Sequence, residues 1–191
     1  MTRVLVVFGS RHGGTRGIAE RIGEVLRTEG LCADVVSADR AGDIRDVDAF
    51  VVGSGVYIGS WVKDAVEFLE RNTATLATRP LWLFSSGPLP GSTKETGADP
   101  LSDALGPTEG PGSGGHRKIL ELTAVVHPRD HRVFLGAYDP KDPPRSMMER
   151  VVRLMPASKN ILPAGDFRDW DNIEAWARGI AASLQPTAVP G

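Results

Sequence analysis

Val4-Leu5-Val6-Val7-Phe8-Gly9-Ser10-Arg11-His12-Gly13-Gly14-Thr15 decides how this chain is read. An apolar, β-branched run of strand length passes at once into a loop of Gly and hydroxyl residues, and helical spacing follows. In such a strand–loop–helix unit, small residues let the backbone curl round an anion. The helix N-terminus offers unpaired N–H groups and the positive end of its dipole. Ser10 and Thr15 add hydroxyl donors, while Gly13 and Gly14 allow close approach or positive φ. The stretch predicts a phosphate cradle where the chain first leaves a sheet.

What is missing narrows the ligand. The Gly-Lys-Ser/Thr of a Walker loop is absent. Gly9, Gly13, Gly14 and Gly17 do not fall on the Gly-x-Gly-x-x-Gly spacing of a dinucleotide fingerprint, and the second strand ends Val35-Val36-Ser37 with no acidic residue. A cradle of hydroxyls, each donating one hydrogen bond without adding a full charge, suits a monophosphate. The bland alternative is an ordinary strand-to-helix turn.

The rhythm of the chain supports a parallel α/β sheet. After the strand at 3–9, Ile18, Ala19, Ile22, Val25 and Leu26 recur at helical spacing, with Gly30 as the stop signal. Strands are expected at Cys32 to Ser37, Ala49 to Ser54, Pro80 to Ser86 and Arg132 to Ala137. Val62, Ala65, Val66 and Leu69 mark a second helix. Asp171-Asn172-Ile173-Glu174 reads as a capping box before a last helix, with Asp169 as a helix-start residue. Strands alternating with helices imply right-handed crossovers. Two segments interrupt the pattern. Residues 87–115 are dense in Gly and Pro and net acidic (Lys94 against Glu95, Asp99, Asp103 and Glu109). Residues 146–155 read as an extra helix in which Met147, Met148, Val151, Val152, Leu154 and Met155 alternate with Arg150 and Arg153. The expected organisation is one domain over 1–184 with an insertion at 87–115, the extra helix, and a flexible tail at 185–191.

Composition excludes several classes. With 191 residues, 41% hydrophobic and 24% charged, the chain is an ordinary globular protein with room for a full core. A net charge of −2 and the lack of a basic stripe argue against nucleic acid. The single cysteine, Cys32, excludes an intrachain disulfide and is expected as a small core residue. With a first strand that starts directly, it implies a cytoplasmic protein. His116, His127 and His131 are too irregularly spaced for a metal site, so no metal is expected.

In a doubly wound sheet, ligands bind beyond the carboxyl ends of the strands at the switch point in strand order. Three such ends are chemically unusual here: the cradle Ser10-Arg11-His12-Gly13-Gly14-Thr15, the stretch Gly53-Ser54-Gly55-Val56-Tyr57-Ile58-Gly59-Ser60-Trp61, and Ser85-Ser86-Gly87-Pro88. The glycines of the second let backbone approach a planar ring, and Tyr57 and Trp61 could stack on it. Core packing is the alternative for both aromatics.

With these loops in place, the chain resembles the flavodoxin family, and within it the menaquinone-dependent protoporphyrinogen oxidase group. Ser10-x-x-Gly13-x-Thr15 is similar to the FMN-phosphate loop of the family, with His12 where many members carry a third hydroxyl. Gly136-Ala137-Tyr138, the 146–155 helix and Asp169-Trp170 point to the subgroup. The resemblance implies a five-stranded parallel sheet of order 2-1-3-4-5 with helices on both faces. It implies FMN as cofactor, held by Ser10, Arg11, His12, Gly13, Gly14, Thr15, Ser54, Gly55, Val56, Tyr57, Ile58, Gly59, Trp61, Ser86, Gly87 and Pro88. It also implies a small redox substrate or quinone as partner, with a redox protein and a peripheral membrane contact left open. No catalytic residue is singled out. The acidic 87–115 segment departs from the group, whose counterpart is basic, so the flavin role transfers better than the substrate. Two other readings stand beside the oxidoreductase: a non-enzymatic electron carrier, and a flavodoxin-fold protein that has lost FMN.

Overall fold

The computed structural model describes residues 1–57, 60–87, 113–138 and 165–185. Its first unit follows from two periodicities. Along β1 (Arg3–Gly9), Val4 and Val6 face one hydrophobic layer while Leu5 and Val7 face the other. A strand apolar on both sides is one covered on both sides. α1 (Gly14–Thr28) then buries Ile18, Ala19, Ile22, Val25 and Leu26 on a single stripe. Gly30 ends it with φ +86°: its N–H donates to the Arg27 carbonyl, and the Leu31 N–H donates to Leu26, both at 3.0 Å. That pair of bonds is a Schellman stop, which the left-handed glycine makes possible.

β2 (Cys32–Ser37) pairs parallel with β1, and β3 (Ala49–Tyr57) pairs parallel with β1 on its other side. β3 turns back through the short antiparallel strand β4 (Ser60–Trp61) before α2 (Lys63–Leu76). β5 (Leu81–Ser86), α3 (Ser113–Val126) and β6 (Asp130–Phe134) continue the alternation, and both strands join in parallel. The sheet runs β2-β1-β3-β5-β6, with β4 attached to β3. Counting parallel strands alone, that is the expected order 2-1-3-4-5; the antiparallel β4 is the addition. A two-stranded ribbon of β7 (Ala137–Tyr138) and β8 (Gly165–Asp166) leads into α4 (Trp170–Leu184).

The helices divide between the two faces. α1 and α4 share one core with Val4, Val6, Phe84 and Trp176, where Phe84, Phe134 and Trp176 form an aromatic cluster with centroids 5.5–6.3 Å apart. α2 and α3 share the other with Phe50, Val52, Leu81 and Leu83. This is an α/β doubly wound fold.

Several expectations are corrected. Cys32 is exposed rather than buried, because the alternation of edge strand β2 puts it beside exposed Asp34 while Ala33 turns into the core. The fifth parallel strand is Asp130–Phe134, not Arg132 to Ala137, since Ala137 belongs to the β7–β8 ribbon. The helix Ser113–Val126 is not apparent in a sequence reading that treats residues up to 115 as Gly/Pro-rich insertion. α4 is capped by Asp169, whose carboxylate accepts from the Asn172 N–H at 3.1 Å, and Asp171 of the supposed capping box lies in the first turn. The helix expected at 146–155 and the tail beyond Gln185 lie outside the described residues, as does most of the 87–115 segment.

Candidate functional site

β1 ends against α2: a Cβ on Gly9 would stand 2.8 Å from the Ala65 Cβ, so the chain must leave the sheet there without a side chain. It turns through Ser10 to Gly13. The Ser10 Oγ accepts from the Gly13 N–H at 3.0 Å, tightening the turn and leaving the hydroxyl proton to donate elsewhere. Gly13 is the N-cap of α1 with φ +81°; among the described residues no side chain caps the helix, and nothing lies within 4 Å of where its Cβ would be. The first intrahelical bond is from the Gly17 N–H to the Gly13 carbonyl at 3.0 Å. The N–H groups of Gly14, Thr15 and Arg16 therefore have no intrahelical acceptor and converge at an uncapped end. That geometry suits an anion, and the dipole adds to it.

A second set of residues braces the cradle from behind. Arg168 reaches across from the ribbon: its Nη1–H donates to the Gly14 carbonyl at 3.4 Å, and its Nε–H donates to Asp166 at 2.7 Å. The guanidinium lies 4.5 Å from the Trp170 ring centroid. A Cβ on Gly17 would meet Arg168 Nη1 at 2.4 Å, so a side chain there would have to push the guanidinium aside. The hydrogen bond from Arg168 holds the Asp166 carboxyl below the usual carboxylate range. The sequence reading missed Arg168, because no local pattern links residues 154 apart in the chain.

The stretch Gly53 to Trp61 is largely strand and hairpin, not loop. Val56 pairs with Trp61 and Tyr57 with Ser60. Gly53 is required by the core: its Cβ would stand 2.0 Å from the Phe84 ring. Gly55 does face the cradle, since a Cβ there would meet Tyr57 at 2.7 Å and the Thr15 hydroxyl at 3.1 Å. Ser54 is buried; its hydroxyl accepts from the Val62 N–H at 2.8 Å and donates to the Gly55 carbonyl at 3.0 Å. It thereby holds the start of α2. Trp61 is also buried, its indole N–H donating to Ser85 Oγ at 2.8 Å. Because an indole can only donate, Ser85 accepts there and meets His131 Nε2 at 3.0 Å with its remaining capacity. The Trp61 ring stands edge-on to His131 at 5.8 Å.

Tyr57 remains half-buried at the rim. The Arg11 guanidinium lies 5.0 Å from its centroid, and the His12 ring lies 6.1 Å away. The structure thus brings Arg11, His12, Thr15, Gly55 and Tyr57 to one edge of the sheet. Val56 is at the same edge, with its carbonyl 3.1 Å from where a Cβ on Gly87 would stand; Ser86 is buried. Ile58, Gly59 and Pro88 lie outside the described residues. Among the described residues no cluster of His, Cys, Asp or Glu could hold a metal, and no helix is long and apolar enough to cross a membrane.

An open parallel sheet whose strand order reverses between β1 and β3, with helices on both faces, defines a doubly wound α/β protein. Residues 5–143 match the family model of the flavodoxin domain, and the chain belongs to the flavodoxin family. It is 22% identical over 189 residues to the protoporphyrinogen IX dehydrogenase (quinone) of Escherichia coli (strain K12), covering 94% of each chain. Flavodoxin 1 of Bacillus cereus superposes with a TM-score of 0.58 at 11% identity, over 96% of this chain and 100% of that one. The rubredoxin oxygen:oxidoreductase of Desulfovibrio gigas superposes with a TM-score of 0.55 at 14% identity, over 96% of this chain and 36% of that one. The structural likenesses establish the fold.

Proposed function

We propose that the chain binds one FMN and passes electrons between a small redox substrate and a quinone-like acceptor. The observation that carries this reading is the cradle, with its uncapped first turn, its left-handed Gly13, and Arg11 and Tyr57 at its rim. The phosphate would take the hydroxyls of Ser10 and Thr15 and backbone N–H groups of residues 11–15. The ring would lie along Gly55, Val56 and Tyr57, with Ser86 and Gly87 opposite; Ile58, Gly59 and Pro88 complete the proposal from sequence. Ser54 and Trp61 enter as positioning residues, because the first holds α2 and the second pins the hairpin to β5. FMN supplies reversible electron transfer, and the protein's part is to hold and tune it.

Support for a quinone-like acceptor comes from the E. coli relative's name and from charge. Arg11 and Arg16 flank the cradle, and Tyr57 to Trp61 contains no carboxylate. The acceptor would be met at the cytoplasmic membrane surface without insertion. Thr15→Ala should weaken FMN by about 1–3 kcal/mol through loss of a hydrogen bond to a charged group. Equilibrium titration with FMN checks this, and a wild-type chain with no affinity for FMN overturns the reading.

A further inference from the structure

Between the ends of β1 and β2 and the first turn of α1 lies a groove of about 580 Å³ whose β2 side the flavin reading leaves unused. Its lining runs from Phe8, Ser10 and Arg11 across to Ser37, Asp39 and Arg40. β2 flanks β1 on the side away from β3. A ring lying along Tyr57 occupies the β3 side, so that ring and the groove share only the cradle between them. The volume falls within the range of roughly 300–1,000 Å³ common for small-molecule sites.

The lining has a specific chemistry. Phe8, Val35 and Val36 contribute half-buried apolar surface at the base. Arg11, Arg16 and Arg40 line the groove with Glu20 and Asp39; Glu20 is already engaged by Arg16 at 2.7 Å, and the Arg11 guanidinium leans toward Tyr57. The surplus positive charge adds to the α1 dipole. Asp39 stands on the turn leaving β2, where the Ser37 hydroxyl beside it holds its carboxyl below the usual range. An ionised carboxylate only accepts, so its natural partners are hydroxyl donors such as the vicinal pair of a ribose. The end of the second strand is where doubly wound dinucleotide sites hold that sugar. The sequence reading passed over Asp39 because it lies two residues beyond the strand; the turn brings it back to the groove.

We infer that this groove holds the nucleoside of a nucleoside 5′-phosphate whose phosphate sits in the Ser10–Thr15 cradle. Such a group is either a free nucleotide or the AMP half of FAD. The inference rests on the cradle described above and does not require a flavin ring.

Calorimetric titration of the flavin-free chain with inorganic phosphate, AMP, FMN and FAD tests it, in wild type and in an Asp39→Asn/Arg40→Ala double variant. Both residues are exposed, and retained FMN affinity reports an intact cradle. AMP should bind at least about tenfold tighter than inorganic phosphate, and the double variant should lose about tenfold for AMP while FMN stays unchanged. FAD tighter than FMN and AMP, with the same loss in the variant, assigns the groove to the flavin dinucleotide. Variant-sensitive AMP binding with FAD rejected assigns it to a free nucleotide. AMP no tighter than phosphate, or insensitive to the variant, overturns the inference and leaves FMN binding intact. Variant-sensitive AMP binding without FMN binding supports the groove and removes the flavin reading. No binding of any nucleotide removes both.

Discussion

His116 shows how one side chain can work against the fold that holds it. It lies on α3 with its imidazole fully buried, and among the described residues neither ring nitrogen has a hydrogen-bond partner. A buried polar group left unpaired costs about 1–3 kcal/mol, whereas an apolar group of similar size at the same place does not. His116→Leu should therefore raise the unfolding free energy by about 1 kcal/mol, read as a higher urea midpoint at unchanged slope. A fall in the midpoint would show that the ring makes a bond the fold depends on. Ser54 is the opposite case. Its hydroxyl is as deeply buried, but it both accepts and donates, so it is a fastening and not a burden.

The β7–β8 ribbon braces the cradle through the Arg168 guanidinium and through Ala137, which lies beside Gly14. Arg168 joins Asp166, the Gly14 carbonyl and the Trp170 ring, and so ties the ribbon to the first turn of α1. The Asp166 carboxyl, held down chiefly by that Arg168 hydrogen bond, titrates below its ordinary value of 3.8. A carboxyl whose folded pKa is depressed stabilises fully above its unfolded pKa, near pH 4, and loses that contribution as pH falls through the lower folded value. Asp166→Asn should remove this acid-dependent component. It should also speed hydrogen exchange at Gly17, the amide that closes the first turn of α1, when measured at neutral pH. Exchange unchanged at Gly17 would mean that the ribbon does not support the cradle.

Charge across the molecule sets how a bound flavin should behave. A protein that crowds the ring with carboxylates disfavours further negative charge, a Coulomb penalty that grows where water is excluded. Here Arg11 lies at the rim over Tyr57, Arg16 opens α1, and Asp39 and Glu20 lie on the β2 side of the cradle. Such a field eases the second electron. Anaerobic reductive titration of the FMN-loaded protein should show both electrons entering over a narrow range of potential, with little one-electron-reduced form. A long-lived one-electron form with a distant, very low second potential would favour the electron-carrier reading.

The order of strands and helices was legible because each segment carries its period locally: the unbroken apolar run of β1, the stripe of α1, the glycine stop at Gly30. The cradle was legible for the same reason, since all its parts lie within six consecutive residues, Ser10 to Thr15. Wherever a side chain has two plausible environments, only the packing chose between them. Tyr57 and Trp61 each read as ring-stacking or core packing; folded, the Trp61 indole is buried and donates to Ser85, while Tyr57 stays half-buried at the rim. Cys32 reads as core and faces solvent, because its strand lies at the sheet edge. Arg168 and the β2-side groove left no local trace at all. A period or a turn is written by neighbours in sequence, whereas a brace or a groove is made by segments that meet only once the chain has folded.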